Sequence, residues 1–335
     1  MLKIDVAKRR GEVTSSGMAT GIVPFDPLLA DRWRQAIETT APSPSPLGGP
    51  EFNSTSIRGW QQTFLFTDGD LLVPFFQSEC THLRLLHSNV YTGVAINSLL
   101  GISELSETTW DSLRQLPRRC VYYLDVPEEW YRNSEPQWRA IGFREHERSV
   151  YHKIVLPATY DEWFSLPHVR RQNIRRGQDA GLSVVFGGCE LLDRFYELYL
   201  QSHARWQSRQ SASQAHSFDR FRRLCDASNS TIHIAAATLN DRIVAAVIFC
   251  TYQRTAGYLY GGHDIEYQNL RPNNLLHAEI IKHLISTRVN EYNLGMSLGQ
   301  KELERFKESL GAERHVSVTL YRDRFPRFRR LLKRT

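Results

Sequence analysis

No stretch of this chain approaches the roughly 18 uninterrupted apolar residues that a membrane-spanning helix needs. The N-terminal run MLKIDVAKRRGEV carries charge with no apolar segment behind it. Neither a membrane span nor a secretory leader is expected, and the reading is a cytoplasmic protein. Cysteine is scarce: Cys80, Cys120, Cys189, Cys225 and Cys250 are odd in number, far apart and free of C-x-x-C spacing. That pattern argues against a disulfide framework and a zinc site and leaves reduced thiols that act as packing residues. No metal site is expected. No Ser-His-Asp or Cys-His pairing is recognisable either, which favours direct attack on a substrate over a covalent enzyme intermediate.

What the chain has is apolar material and a basic end. With 335 residues, 41% of them hydrophobic and 11% aromatic, it can bury more than one core, and two domains are expected. The net charge is +6, and Arg322 to Thr335 alone holds seven basic residues against one acid, Asp323, so this tail accounts for the whole excess. Such a tail, with Arg327, Arg329 and Arg330 at its centre, suits contact with phosphate backbones or a solvated terminus equally well.

The run TAPSPSPLGGPEFNSTS before residue 57 has the composition of a connector. QTFLFT and DLLVPFF around an Asp-Gly step read as a hairpin. A helix at TTWDSLRQL, a strand at RRCVYYLDV, a short helix at PQWRAIGF and a strand at SVYHKIVL complete a small mixed unit. The second half repeats the grammar at larger scale. A helix at PHVRRQNIRRGQDAG, the strand LSVVF and helices at ELLDRFYELYLQSHARW and FDRFRRLCDAS come first. TIHIAAAT, IVAAVIFCTY and TAGYLYGG follow as strands, then the helix NNLLHAEIIKHLISTR, the strand YNLG, a last helix and the strand HVSVTLYRD. A meander followed by a helix and strand crossover describes an α+β fold with mixed strand direction.

Three segments carry a family resemblance: the arginine-rich helix RRQNIRRGQDAG, the run YGGHDIEYQNLRPNNLLHAEII, and the terminal YNLGMSLGQKELERFKESLGA. Together their order resembles the GNAT superfamily of acyltransferases in its Fem-like branch, over roughly residues 60 to 322. The resemblance implies two tandem GNAT-like domains with mixed β-sheets flanked by helices. The expected division is an extension and linker over 1–58, a diverged first domain over 59–157, the acyltransferase domain over 158–322, and a basic tail over 323–335. It also implies direct transfer of an acyl group to an amine of a small-molecule or peptide-like acceptor, as in natural-product pathways. The donor would be aminoacyl-tRNA, with tRNA as a partner and no permanently bound cofactor. Acyl-CoA is the alternative donor, and a catalytically silent RNA- or protein-binding module is the alternative function. One departure bears on the donor. Where CoA-dependent relatives resemble one another in a glycine-rich turn, this chain reads LRPNNLL, in which Asn273 or Asn274 can cap the helix after Pro272.

Amide formation from an ester or thioester places negative charge on a carbonyl oxygen and needs a cation or donors there, plus a path for the amine's proton. In RFKESLG, Lys307 sits at the edge of the apolar face formed by Leu303, Phe306 and Leu310, where a lysine either snorkels to water or is used in a cleft. The resemblance places it beside the reacting ester. Asn293, Gly295 and Ser297 follow a short strand and either face the acyl carbonyl or only make a turn. Tyr260, Gly261, Gly262 and His263 end another strand, where glycines would let a ligand approach closely and His263 is a candidate proton acceptor. Arg170, Arg171, Arg175 and Arg176 crowd one helix, with Arg171 and Arg175 repelling at i, i+4 unless anions offset them. They are candidate phosphate or RNA contacts together with Arg271. Trp206 is either a substrate wall or core, and Asn273 is a second candidate for the substrate pocket.

Overall fold

The computed structural model of the chain describes residues 21–24, 30–31, 62–68, 71–77, 85–87, 107–116, 121–207, 215–226, 231–297 and 299–323. The expected connector, the tail arginines Arg327, Arg329 and Arg330, and Cys80 and Cys120 lie outside these residues.

The fold is α+β, and it divides into two compact units that do not follow chain order. One takes Arg58–Arg148 and the chain from Val318 onward; the other is built on Ser149–Ser317. The linear reading gave each unit a single segment, with breaks near 157 and 322. The difference comes from the last strand, Glu313–Arg322, whose second half is counted with the first unit.

In the first unit, strands β1 (Gly21–Pro24), β2 (Gln62–Asp68), β3 (Leu71–Gln77) and β4 (Leu85–His87) run antiparallel in turn, and β4 pairs parallel with β5 (Val121–Pro127). The expected hairpin is the β2–β3 pair, with Asp68 opposite Leu71. Helix α1 (Glu107–Arg114) precedes β5, and α2 (Glu128–Ala140) follows it. Helix α2 breaks at Ser134 (φ −124°), two residues before Pro136, whose ring forbids a regular turn there. Trp110, Trp138 and Phe143 pack edge to face at 4.7 and 5.4 Å in the core of this unit.

Arg322, counted above with the basic tail, belongs instead to this interior and is 1% exposed. Its guanidinium donates to the carbonyls of Leu113 (2.9 Å), Leu116 (3.2 Å) and Arg114 (3.4 Å) at the C-terminal end of α1, where the helix dipole favours a cation. It also lies 5.6 Å from the ring of Tyr122 and 5.5 Å from that of Phe143. Arg322→Met fills similar volume but takes the guanidinium's hydrogen bonds from those buried carbonyls, so a loss of about 3 kcal/mol is expected in urea unfolding. Arg322→Lys keeps the charge without the planar fork and should recover only part of it.

The second unit starts within β6 (Arg144–Val155), at Ser149, and continues through α3 (Tyr160–Ser165), α4 (Arg171–Asp179), β7 (Ser183–Gly187), α5 (Leu192–Gln207), α6 (Phe218–Asp226) and β8 (Ile232–Leu239). It closes with β9 (Arg242–Tyr252), β10 (Thr255–His263), α7 (Pro272–Ser286), β11 (Glu291–Met296), α8 (Lys301–Glu308) and β12 (Glu313–Arg322). Strand order from β6 is β6-β11-β10-β9-β8-β7, with β10 and β11 parallel and the β6–β11, β10–β9, β9–β8 and β8–β7 pairs antiparallel. Asn240 and Asp241, both at positive φ, make the tight β8–β9 turn.

Strands β8 and β9 are buried on both faces. Ala235, Ala237, Val247 and Phe249 join a core with α7, while the alternating Ile234, Ala236, Ala246 and Ile248 are equally buried on the face that α5 and α6 cover. Helix α3, which periodicity missed because YDEWFS is too short to repeat, is anchored by Trp163, whose Nε1 donates to Leu310 O at 2.9 Å. The reading of all cysteines as packing residues holds for Cys250, which is buried. It fails for Cys189, which is exposed beside the half-buried thiol of Cys225.

Candidate active site

The two parallel strands of the second unit part soon after they meet. Strands β10 and β11 pair through Thr255↔Glu291, Ala256↔Tyr292 and Gly257↔Asn293, and no later pair forms between them among the described residues. Each strand then bulges. The β9–β10 register shifts between Tyr258 and Tyr260, and the β6–β11 register shifts between Asn293 and Gly295. A bulge inserts one residue and turns its strand away from its former course. Two bulges at the same level, on neighbouring strands, separate their carboxyl ends. The crevice beyond the carboxyl ends of parallel strands is the customary ligand site of α/β sheets.

The first bulge also sends two tyrosines to opposite faces. Residues two apart on a regular strand share a face, but Tyr258 packs toward His277 of α7 (5.8 Å between rings), while Tyr260 packs toward Phe221 of α6 (4.9 Å). Asn293 sets the second bulge. Its Oδ1 accepts from Gly295 N at 2.8 Å, and Gly295 takes φ +70°, a conformation glycine adopts without strain. This is the turn-making role that the sequence also allowed.

Lys307 of α8 reaches this bulge. Its residue is 4% exposed, and its Nζ donates to Gly295 O and Met296 O, each at 2.8 Å. An ammonium has three donors and a neutral amine two. With two carbonyls already held, only the charged form keeps a proton to offer, and among the described residues no third acceptor takes it. Burial brings the Lys307 pKa down to about 7, with Glu304 opposing weakly. Snorkelling is thereby overturned: the Lys307 side chain is inside.

Two histidines that sequence reasoning missed flank it. His277 on α7 is buried against Phe306, with Nδ1 3.3 Å from Tyr292 Oη, and burial and then the Lys307 charge push its pKa down to about 3. His152 on β6 is fully buried, with Nδ1 3.4 Å from the Oγ of Ser297, and the same two causes lower it. Ser297, itself fully buried just past β11, joins the group through a histidine 145 positions away. No local pattern in SVYHKIVL or NNLLHAEII marks either histidine; only the fold brings them to the lysine.

The other expected residues gather elsewhere. The close approach at the end of β10 is made by the protein itself. A Cβ at Gly261 would meet Tyr258 Oη at 2.8 Å, and one at Gly262 would meet the backbone of Leu198 at 2.4 Å, so the reading of these glycines as room for a ligand is corrected. Tyr260 lies in an aromatic cluster with Tyr199, His216 and Phe221, and its hydroxyl accepts from Arg220 at 3.4 Å. His263 is paired with Asn273, whose Nδ2 is 3.3 Å from its Nδ1, and burial and then Arg205 lower its pKa. Trp206 is 44% exposed on the last turn of α5, so it is not core.

The expected asparagine cap of α7 does not form. Arg271 holds the cap position at φ 60° without a side-chain bond, and Asn273 turns to His263 instead. This leaves the start of a 15-residue helix without the asparagine cap that would compete with a pyrophosphate there. Arg170, Arg171, Arg175 and Arg176 are all exposed, and none meets a carboxylate among the described residues. Arg171 donates to Phe164 O at 3.1 Å and Arg175 lies 6.0 Å from the Phe164 ring. Gly177 on the opposite side of α4 fits against Leu275 of α7. Among the described residues no group of histidines, cysteines or carboxylates could hold a metal ion.

The family model described as "Acetyltransferase (GNAT) domain" matches residues 168–308, which include α4, β10, α7, β11 and Lys307. No protein of curated function matches the chain in sequence. Among solved structures, FemX superposes with a TM-score of 0.63 at 12% identity, covering 89% of this chain and 96% of its own. A tandem GNAT protein from the clavulanic acid biosynthesis pathway gives 0.53 at 13%, covering 90% and 97%. L-PGS from Bacillus licheniformis gives 0.52 at 13%, covering 92% and 96%. At such identities these likenesses speak for the fold. Among the described residues no helix is long and apolar enough to cross a membrane.

Proposed function

We propose that the chain, whose residues 168–308 match the GNAT acetyltransferase domain, makes amides by direct attack of an acceptor amine on an acyl ester held at Lys307. The observation that carries this reading is the buried Lys307 side chain, whose Nζ donates to Gly295 O and Met296 O at the place where β10 and β11 part and in its charged form keeps one proton more. Its remaining proton meets the oxygen on which charge gathers as the carbon–nitrogen bond forms. A donor already fixed there needs no reorganisation when the charge appears.

The proposed donor is aminoacyl-tRNA, and the acceptor a small-molecule or peptide-like amine. Supporting this are the likeness to FemX and the four exposed arginines of and beside α4, which suit a phosphate backbone. A second donor, acyl-CoA, is favoured by one specific observation, the uncapped start of α7. The two separate cleanly. Purified protein is incubated with mixed charged tRNAs or with acyl-CoA thioesters and a cell-extract amine pool, and amides are identified by mass. Transfer abolished by ribonuclease and unsupported by thioesters is the expected result; transfer from thioesters that survives ribonuclease would replace the RNA donor with CoA. For an RNA donor, charge reversal of Arg171 and Arg175 together should weaken tRNA binding and flatten its salt dependence.

A further inference from the structure

His152 has no part in the acyl-holding geometry, yet it stands directly across the β6–β11 ladder from Gly295, whose carbonyl Lys307 holds. The imidazole is fully buried, its Nδ1 faces Ser297 Oγ at 3.4 Å, and its Nε2 has no hydrogen-bond partner among the described residues. A buried nitrogen left unpaired costs about 1–3 kcal/mol, which a leucine or threonine in the same strand would avoid. The Nε2 looks toward Glu308 Oε1 at 3.9 Å, and that carboxylate is half exposed to water. A line of exchangeable groups thus runs from the bulge beside Lys307 through Ser297 and His152 to the surface.

We propose that Ser297 and His152 form the outlet for the proton that the acceptor amine surrenders, delivering it to Glu308 and solvent; this rests on the amide-forming reading above. When nitrogen attacks the acyl carbon, a C–N bond forms and nitrogen becomes positively charged. Ser297 Oγ takes a proton from nitrogen as its own passes to His152 Nδ1, and the proton on Nε2 moves to Glu308. The acyl C–O or C–S bond then breaks with its electron pair leaving on oxygen or sulfur, which takes one proton from solvent. The sum is amine plus ester giving amide plus hydroxyl or thiol, with no proton gained or lost. The 3.4 and 3.9 Å separations are those of a site at rest, and such bonds shorten when the reacting complex closes. The charged groups facing His152 are Lys307, Glu304 and Glu308 from α8 and Arg314 from β12, with burial the largest influence, and the balance keeps the imidazole neutral and ready to accept.

The test uses the full-length protein with whichever donor the wild type accepts, following amide formation from pH 5 to 9. His152→Gln retains a donor and acceptor near Ser297 but cannot carry a proton through. It is expected to lose on the order of 100-fold in rate and to lose the acidic limb of the pH profile, which a purely structural role would leave in place. Glu308→Gln, on the surface and safe for folding, should slow transfer about tenfold and move that limb to lower pH, since the carboxylate raises the His152 pKa. An active wild type whose acidic limb survives unchanged in both variants overturns the outlet. A wild type inactive with every donor fails the transferase reading itself, and that failure is visible before any variant is made.

Discussion

Lys307→Met lowers the rate of amide formation by about 10²- to 10³-fold, the usual consequence of removing one preorganised donor from a developing oxyanion. Methionine keeps the length of the side chain and the packing of α8, so the loss reports the charge. The wild-type rate should itself decline as pH rises through about 7, because the ammonium is then losing the proton that only the charged form can offer. The variant's residual rate should show no such decline. A Lys307→Met protein that transfers acyl groups at the wild-type rate would reduce the lysine to a clamp on the bulge of β11.

The same substitution separates catalysis from stability through its pH dependence. The lysine's ordinary pKa of 10.5 falls to about 7 in the folded chain, so between those values the unfolded chain binds more protons. Stability therefore rises with pH across that window, and below pH 7 the cost of holding a buried charge is present in full. Lys307→Met removes that slope but leaves Gly295 O and Met296 O without their donor. The wild type should gain on the variant steadily from pH 7 to 10 in urea unfolding.

How much of this was legible beforehand follows from the range of each signal. Helices and strands were readable because the apolar period repeats within one element: α5, α7, β8 and β9 all stand where their patterns put them. The helix wheel showed Lys307 as a charge on a greasy edge but left snorkelling and a cleft equally open, and the family resemblance made it a site candidate. The cluster around it was not readable, since His152, His277 and Lys307 come from β6, α7 and α8 and meet only through the sheet order. Nothing local in HVSVTLYRD says that its second half is counted with the first unit. Asn273 went wrong at finer scale: capping propensity favoured it at the start of α7, but His263 offered its side chain a partner.

Gly262 gives the clearest case of a residue type read correctly and assigned to the wrong neighbour, and it carries the second large prediction. Glycine near a strand end signals a close approach; the body that approaches is helix α5. A Cβ at this position would lie 2.4 Å from Leu198 C, 2.5 Å from Leu198 O and 2.6 Å from Tyr199 N, all main-chain atoms that no rotamer change can move. Gly262→Ala must therefore push the helix off β10. That motion would strain the bonds that join them, Ser202 Oγ accepting from His263 N at 3.1 Å and Arg205 donating to His263 O at 2.9 Å. The expected cost is about 3 kcal/mol or more, at the upper end for overpacking because the obstacle is backbone. Gly295→Ala is the matched control. Nothing lies within 4 Å of its Cβ position, and only its φ of +70° opposes the change, so about 1–2 kcal/mol is expected there. Urea midpoints of the two variants decide it: Gly262→Ala as mild as Gly295→Ala would mean that α5 yields freely and that the end of β10 is open to a ligand after all.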